Sequence, residues 1–357
     1  MKNEDVKIQF LGANNIVTGS CTHLTFPNGL QIIIDCGLLQ DSVKNFEETQ
    51  KINTRPFEFD IDKISYVALT HANIDHIGRL PVLTKNPLFI GKVLATVPTA
   101  GFCAINLPDC AYLNEQQCKY ENDKRARDKR IKNIEDRIIA PLYTMDEANE
   151  SICMIQGYDF NKEIKLDDFT SITFLPAGHI LGASMILVKY KIDEFKYKTI
   201  LFSGDTSGKD SKHAFVPIAP DLGEIDYFVE ESTYGDRLHI KNNPIDVVTK
   251  AIQEACINYK RSLIIPCFSI QRSSEILWLL REVYLKENGG FNNIPIYLDS
   301  PMACKSQKVV DENREFWNER DLKRDEELGS LFNWGRVIYT SDAKSSKLLA
   351  NGEIKII

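Results

Sequence analysis

Thr70-His71-Ala72-Asn73-Ile74-Asp75-His76 decides how this chain is read. The segment closes the apolar run Ser65-Tyr66-Val67-Ala68-Leu69-Thr70, which has the make-up of a buried strand. Two histidines and an aspartate thus fall within six residues at a strand end. Strand ends are where a sheet presents ligands, and imidazole with carboxylate is a donor set suited to zinc. Positions 71 and 73 would face one way and 75 and 76 another, so two adjacent metal ions could be served. A helix is expected to begin near His76 and to run through Leu80, Val82 and Leu83. Taken alone, the segment reads as a metal site ahead of the alternative, a loop carrying two solvated histidines.

Working outward, the same junction recurs. Leu175-Pro176-Ala177-Gly178-His179-Ile180-Leu181-Gly182 sets a histidine between glycines after a strand-like run, and Phe202-Ser203-Gly204-Asp205-Thr206 does so with an aspartate. Each alone reads as a turn or capping residue; in series, His71, Asp75, His76, His179 and Asp205 read as a metal-ligand set. Earlier still, Gln31-Ile32-Ile33-Ile34 ends at Asp35. Residues 1–215 are strand-rich, with a long polar helical stretch over 109–137, and imply two packed sheets flanked by helices. From residue 216 strands and helices alternate: a strand at 227–231, a helix at 244–259, a strand at 261–266, a helix at 273–287 and a strand at 295–298. That rhythm marks a parallel sheet with crossover helices. No repeat or flexible linker separates the halves, so the second reads as an insertion.

Composition narrows the classes. The 357 residues are 43% hydrophobic and 26% charged, which excludes a disordered chain and a small disulfide scaffold. With 43 basic against 50 acidic residues the net charge is −7, which argues against non-specific coating of DNA. No apolar run approaches the ~18 residues of a membrane span and the first residues lack a signal-peptide pattern, so a cytoplasmic protein with no membrane partner is expected. The nine cysteines contain no Cys-x-x-Cys pair and read as free thiols in a reducing compartment. Lys119, Lys124, Arg125, Arg127, Lys129, Arg130 and Lys132 lie among Glu121, Asp123 and Asp128 beside Tyr120. The stretch is either a nucleic-acid path or a solvated helix face. Residues 311–328 read as a solvated helix, with Phe316-Trp317 on its buried side.

Asp35, residues 71–76, His179 and Asp205 resemble the first four motifs of the metallo-β-lactamase fold. Leu11-Gly12, Val17-Thr18-Gly19-Ser20-Cys21 and Glu231-Ser232-Thr233-Tyr234-Gly235-Asp236-Arg237 resemble its β-CASP branch of RNA- and DNA-processing nucleases. So do Ile265-Pro266-Cys267-Phe268-Ser269 with Arg272, Glu275 and Leu277, and Leu298-Asp299-Ser300-Pro301-Met302-Ala303. Lys124-Arg125-Ala126-Arg127 and Pro141-Leu142-Tyr143 are similar to bacterial and archaeal members.

The resemblance implies an α/β architecture: an αββα metallo-β-lactamase sandwich over 1–215, an inserted β-CASP domain of mostly parallel sheet over 216–350, and the start of a return strand at 351–357. It implies a zinc-dependent ribonuclease acting on single-stranded RNA. His71 and His179 would hold one zinc, Asp75 and His76 the other, and Asp205 would bridge them. Asp35 would support the ligands through hydrogen bonds, and Glu231 would stand beside the scissile phosphate with a histidine that protonates the leaving oxygen. The catalytic set expected is therefore Asp75, Glu231 and Asp35. Two departures stand out. Asn73 occupies the second histidine of the pattern His-x-His-x-Asp-His, and an amide is a weaker ligand than imidazole. The sequence also stops at Ile357, before the family's last two histidine motifs, so a fragment or a degraded gene is expected. His213 and His239 read as surface residues. One zinc or fewer firmly bound is expected, and the alternative is a non-catalytic RNA-binding or partner subunit with a decayed metal site. A homo-oligomer is compatible with either.

Overall fold

Alternate residues of the short strands near the N-terminus turn toward a common core. The computed structural model describes residues 5–40, 45–127, 138–207, 221–238, 242–287, 290–291, 293–350 and 352–357. Among these, β1 (Lys7–Phe10), β2 (Thr22–Thr25), β3 (Gln31–Ile34), β4 (Tyr66–Ala68), β5 (Lys92–Thr96) and β6 (Ile155–Tyr158) form one sheet in chain order. The first three pair antiparallel and the rest parallel. A second sheet has the order β11 (Tyr227–Val229), β10 (Tyr197–Phe202), β9 (Ser184–Lys191), β8 (Thr170–Pro176), β7 (Glu163–Lys165). Leu24, Ile32, Ile34 and Leu94 of the first sheet join Ile172, Phe174, Ile186, Val188 and Phe202 of the second in one cluster. Burying such a side chain contributes about 1.5–3 kcal/mol, so this cluster dominates the sandwich. Residues one position along, Ile33, Val67 and Val93, are buried on the other face. Two-sided burial explains why these strands are near-continuous apolar runs.

The helices of this unit are α1 (Phe46–Asn53), α2 (Ile74–Ile77), α3 (Leu80–Thr84), α4 (Val97–Arg127) and α5 (Met145–Cys153). Thr144 caps α5 in a reciprocal capping box with Glu147. The helix expected near His76 is two short ones, broken at Gly78-Arg79, and it starts at Ile74 so that His76 lies inside it. The stretch expected from 109 starts twelve residues earlier, at Val97, and runs through Pro108. A proline inside a helix removes one backbone bond; here Phe102, Cys103, Leu107 and Ala111 are fully buried on either side of it and hold the helix together. Residues 128–137 of that stretch lie outside the described residues. Among the described residues no helix is long and apolar enough to cross a membrane.

The chain divides into two compact units, the first Met1–Ala177, Gly182–Thr206 and Ala219–Glu231, the second Gly178–Leu181, Ser207–Ile218 and Ser232–Ile357. The strand β11, which the sequence rhythm assigns to the second half, pairs parallel with β10 and belongs to the first. In the second unit α6 (Pro244–Ile252) continues into a π-helical turn, Gln253–Asn258, and is followed by α7 (Arg272–Lys286), β12 (Ile296–Asp299), α8 (Pro301–Glu312), α9 (Glu319–Leu328), β13 (Val337–Thr340) and α10 (Ala343–Leu348). β12 and β13 are parallel, as expected. The strand expected at 261–266 is reduced to a bridge at Leu263. It pairs with the segment expected to return to the first domain: Leu263 N–H donates to Lys355 O at 2.9 Å, and Tyr297 N–H to Ile356 O at 2.8 Å. Residues 355–357 are thus threaded between 263–265 and 295–297 inside the second unit. The expected single helix over 311–328 is interrupted between α8 and α9, and Phe316 and Trp317 in the gap are buried, Trp317 edge-on to Phe332.

All nine cysteines are free. Burial pushes the Cys36 thiol up to about 12, and raises Cys21 and Cys103 strongly as well. Because the thiolate is the reactive form, iodoacetamide at pH 8 is expected to label exposed Cys153 in the folded protein and to leave Cys21, Cys36 and Cys103 until denaturant is added. Peptide mapping that finds Cys36 modified as fast as Cys153 would contradict this packing.

Candidate metal centre

The carboxyl ends of neighbouring strands assemble the site. Parallel pairing of β3 with β4 sets Ile34 opposite Ala68, and Asp35 N–H continues the ladder by donating to Ala68 O at 3.0 Å. Asp35 therefore lies beside Thr70-His71, at the edge where open α/β sheets bind ligands. Its backbone turns to φ 59°, a left-handed conformation that aspartate tolerates better than most side chains. The turn points its carboxylate inward, where it is buried.

Helix α2 is only four residues long and is held by backbone bonds from residues 20 and 36–38. Cys36 N–H donates to His76 O (2.8 Å), Ser20 N–H to Asp75 O (2.8 Å) and Leu38 N–H to Ile74 O (3.0 Å). A side chain at Gly37 would bring its Cβ to 1.7 Å from the Asp75 carbonyl oxygen, so only glycine permits the approach. Asn73 is the N-cap residue of α2. Its carbonyl accepts from His76 N–H at 2.8 Å, and its side chain makes no capping bond.

Asp35 then orients the imidazoles. Its carboxylate accepts from Thr70 N–H (2.8 Å) and the Thr70 hydroxyl (2.9 and 3.0 Å), from Ser20 Oγ (3.2 Å), and pairs with His76 Nδ1 at 2.7 Å. Thr70 Oγ1 also lies 3.1 Å from His71 Nδ1. Both rings have Nδ1 engaged on that side. Their Nε2 atoms face Asp205, at 3.8 Å for His71 and 3.3 Å for His76. The ring centroids are 4.0 Å apart, and donor atoms of His71, His76 and Asp205 lie within 4.8 Å of one another. Burial alone would push the His76 pKa down; the carboxylates of Asp35 and Asp205 outweigh it and raise the value well above that of free imidazole. A cation entering here competes with that proton.

The donor chemistry fits a divalent metal. Two imidazoles, each oriented through its far nitrogen, with a carboxylate between them are the arrangement such ions require. Asp75 is adjacent, its Oδ2 at 3.9 Å from His76 Nε2, and burial raises its pKa. His179 follows β8 in the turn Gly178–Leu181, which groups with the second unit. Asp205 follows β10, and the loop carrying it is tied to Glu231: Thr206 N–H donates to Glu231 Oε1 and Glu231 N–H to Ser203 Oγ, both at 3.0 Å. His213 and His239 lie outside the described residues.

Sequence reasoning missed Thr70, Ser20 and Ser203. Thr70 sat within the quoted segment, but nothing in the pattern distinguishes a strand-end hydroxyl that bridges Asp35 to both histidines from one facing solvent. The basic stretch divides. Arg125 pairs with Glu47 of α1 and Lys124 lies 3.5 Å from Glu121, so both serve the helix surface. Tyr120 is exposed, and Lys129, Arg130 and Lys132 lie outside the described residues.

Residues 23–201 match the metallo-beta-lactamase superfamily domain. Ribonuclease TTHA0252 of Thermus thermophilus is 28% identical over 298 residues, covering 84% of this chain and 59% of its own length. Cleavage and polyadenylation specificity factor subunit 3-I of Arabidopsis thaliana is 26% identical over 301 residues, 84% of this chain and 38% of that protein. Endoribonuclease ysh1 of Schizosaccharomyces pombe is 27% identical over 303 residues, 84% and 35%. The chain spans between about a third and three-fifths of the length of these relatives.

Proposed function

Because this chain belongs to the metallo-beta-lactamase superfamily, in its β-CASP branch, we propose that it is a metal-dependent phosphodiester hydrolase acting on single-stranded RNA. The observation that carries the proposal is the convergence of His71, His76 and Asp205, with Asp35 fixed behind His76. Zinc is the ion this donor set favours. When bound, it would supply Lewis-acid polarisation of the phosphodiester and activation of water. The chain's own residues do the rest. His71, His76 and Asp205 would hold the ion, Asp75 lies beside His76, and His179 is a further candidate ligand by the motif order. Asp35 and Thr70 fix the ring orientations. Glu231, held against the Asp205 loop, presents a carboxylate for handling a proton at the scissile phosphate.

Asn73 favours a second reading, a subunit that binds RNA without cutting it, since an amide stands where imidazole would strengthen the site. One experiment separates the two. Metal-free protein is titrated with Zn2+, the bound ion is counted, and labelled single-stranded RNA is followed over time. Cleavage that appears with zinc and stops with chelator is expected. Asn73→His is expected to tighten zinc by ~10-fold. RNA bound but uncut at full zinc occupancy would establish the second reading instead.

A further inference from the structure

We infer that Gln271 is the positioning residue for His179, acting through the backbone of the turn that carries the histidine. The inference rests on the proposed role of His179 as a metal ligand.

Gln271 stands between residues 266–270 and α7, with φ 63° and ψ −56°. Arg272 N–H donates back to Ile270 O at 2.7 Å, which closes a γ-turn of the rare, strained sense. Glycine would adopt this conformation at little steric cost. Strain of this kind persists where surrounding contacts over-determine it, and it clusters at functional positions.

The contacts are present. Gln271 is fully buried, and both ends of its amide are used. Oε1 accepts from Leu181 N–H at 3.0 Å, while Nε2 donates to Glu275 Oε1 at 3.1 Å. The second Glu275 oxygen is taken by Arg272. Glu275 N–H returns to Gln271 O at 2.9 Å, so the first turn of α7 locks the side chain from below. The receiving turn is short. Gly178 and Gly182 flank it, each at φ 79°, and Ile180 and Leu181 are buried within it. Two glycines give such a turn many backbone choices, and the bond to Leu181 N–H selects one, two residues from the imidazole. Metal ligands tolerate misplacement of only about half an ångström, so a glutamine 92 positions along the chain governs whether His179 can ligate.

Two variants test this. Gln271→Gly removes the amide and relieves the strain; Gln271→Met keeps the length but offers no carbonyl oxygen. In metal-free protein both are expected to speed hydrogen exchange at Leu181 by about tenfold or more, as loss of one buried hydrogen bond implies. Exchange in β4 and β5 should not change. Unaltered exchange at 178–182 in both variants would overturn the inference. In zinc titrations against a competing chelator, Gln271→Met is expected to weaken binding ~10-fold, and to have no further effect in a His179→Ala background. An equal loss in both backgrounds would also overturn it, because the effect would then bypass the histidine. Full zinc affinity in His179→Ala alone would count against the ligand reading, and the exchange result would still decide whether Gln271 sets the turn.

Discussion

Asp205→Ala is expected to abolish tight zinc binding and, with it, RNA cleavage. Asp205 is the group toward which both Nε2 atoms turn, at 3.8 and 3.3 Å. Without its carboxylate two imidazoles would face each other across the space a cation should fill. Hydrogen-bond partners of metal ligands are by themselves worth roughly 10- to 100-fold in affinity, so loss of a donor oxygen should exceed the upper end of that range. A metal contributes several kcal/mol to stabilising a phosphodiester transition state, which places the expected loss of cleavage at about 1,000-fold or more. The fold should survive, since Asp205 is only half-buried and its loop is tied down independently through Thr206 and Glu231. Elemental analysis, circular dichroism and an RNA time course on the same preparation make the test. Retained zinc with retained cleavage would show that the site lies elsewhere.

Asp35→Ala is expected to strike stability as well as metal binding. The carboxylate receives the Thr70 amide and hydroxyl, Ser20 and His76, all from a buried position. Truncation leaves those partners without an acceptor, and breaking a buried pair in this way costs about 3–5 kcal/mol. Alanine would also inherit a left-handed backbone at φ 59°. Asp35→Asn separates the two effects. Asparagine accepts that backbone and keeps one oxygen for Thr70, so most of the stability should remain, while its amide N–H₂ meets His76 where a carboxylate is needed. Zinc affinity should then fall ~10- to 100-fold. The pH dependence follows from His76. Its folded pKa is raised, so its contribution to metal-free stability is fully present below the ordinary imidazole value and is lost as pH rises through the raised one. Asp35→Ala should flatten that dependence. Denaturant titrations across pH provide the measurement. A variant as stable as the parent would mean that Asp35 does not anchor the strand end.

Much of the fold was legible because its signals are local. A buried strand is an apolar run, and the step from Ala68 through Thr70 to His71 announces a strand end without reference to the rest of the chain. Hence the two packed sheets, the strand β12 and the region of α7 agree with the sequence, whereas its parallel partner β13 was not read from it. What failed needed partners. Residues 261–266 have a strand's composition, yet only Leu263 bridges. The polar stretch from 109 reads as a helix by itself, but packing on both sides of Pro108 carries α4 back to Val97. Residue type alone leaves Arg125 open between a nucleic-acid contact and a solvated helix face, and its pairing with Glu47 of α1, far away in sequence, is visible only in the fold.

The site divides along the same line. By itself the sequence determined which side chains could ligate a metal, because the chemistry of His71, Asp75, His76, His179 and Asp205 and their place at strand ends are written in residue type and spacing. Tertiary structure alone decided which of them meet and how they are held. It put Asp205 between the Nε2 atoms of His71 and His76, gave Asp35 and Thr70 the task of turning the rings, and tied the His179 turn to Gln271. The physical reason is that a ligand's identity is a property of one residue. Its orientation depends on a hydrogen-bond network that reaches across 35 to 90 positions of the chain, and this exists only once the sheets have paired and the core has closed.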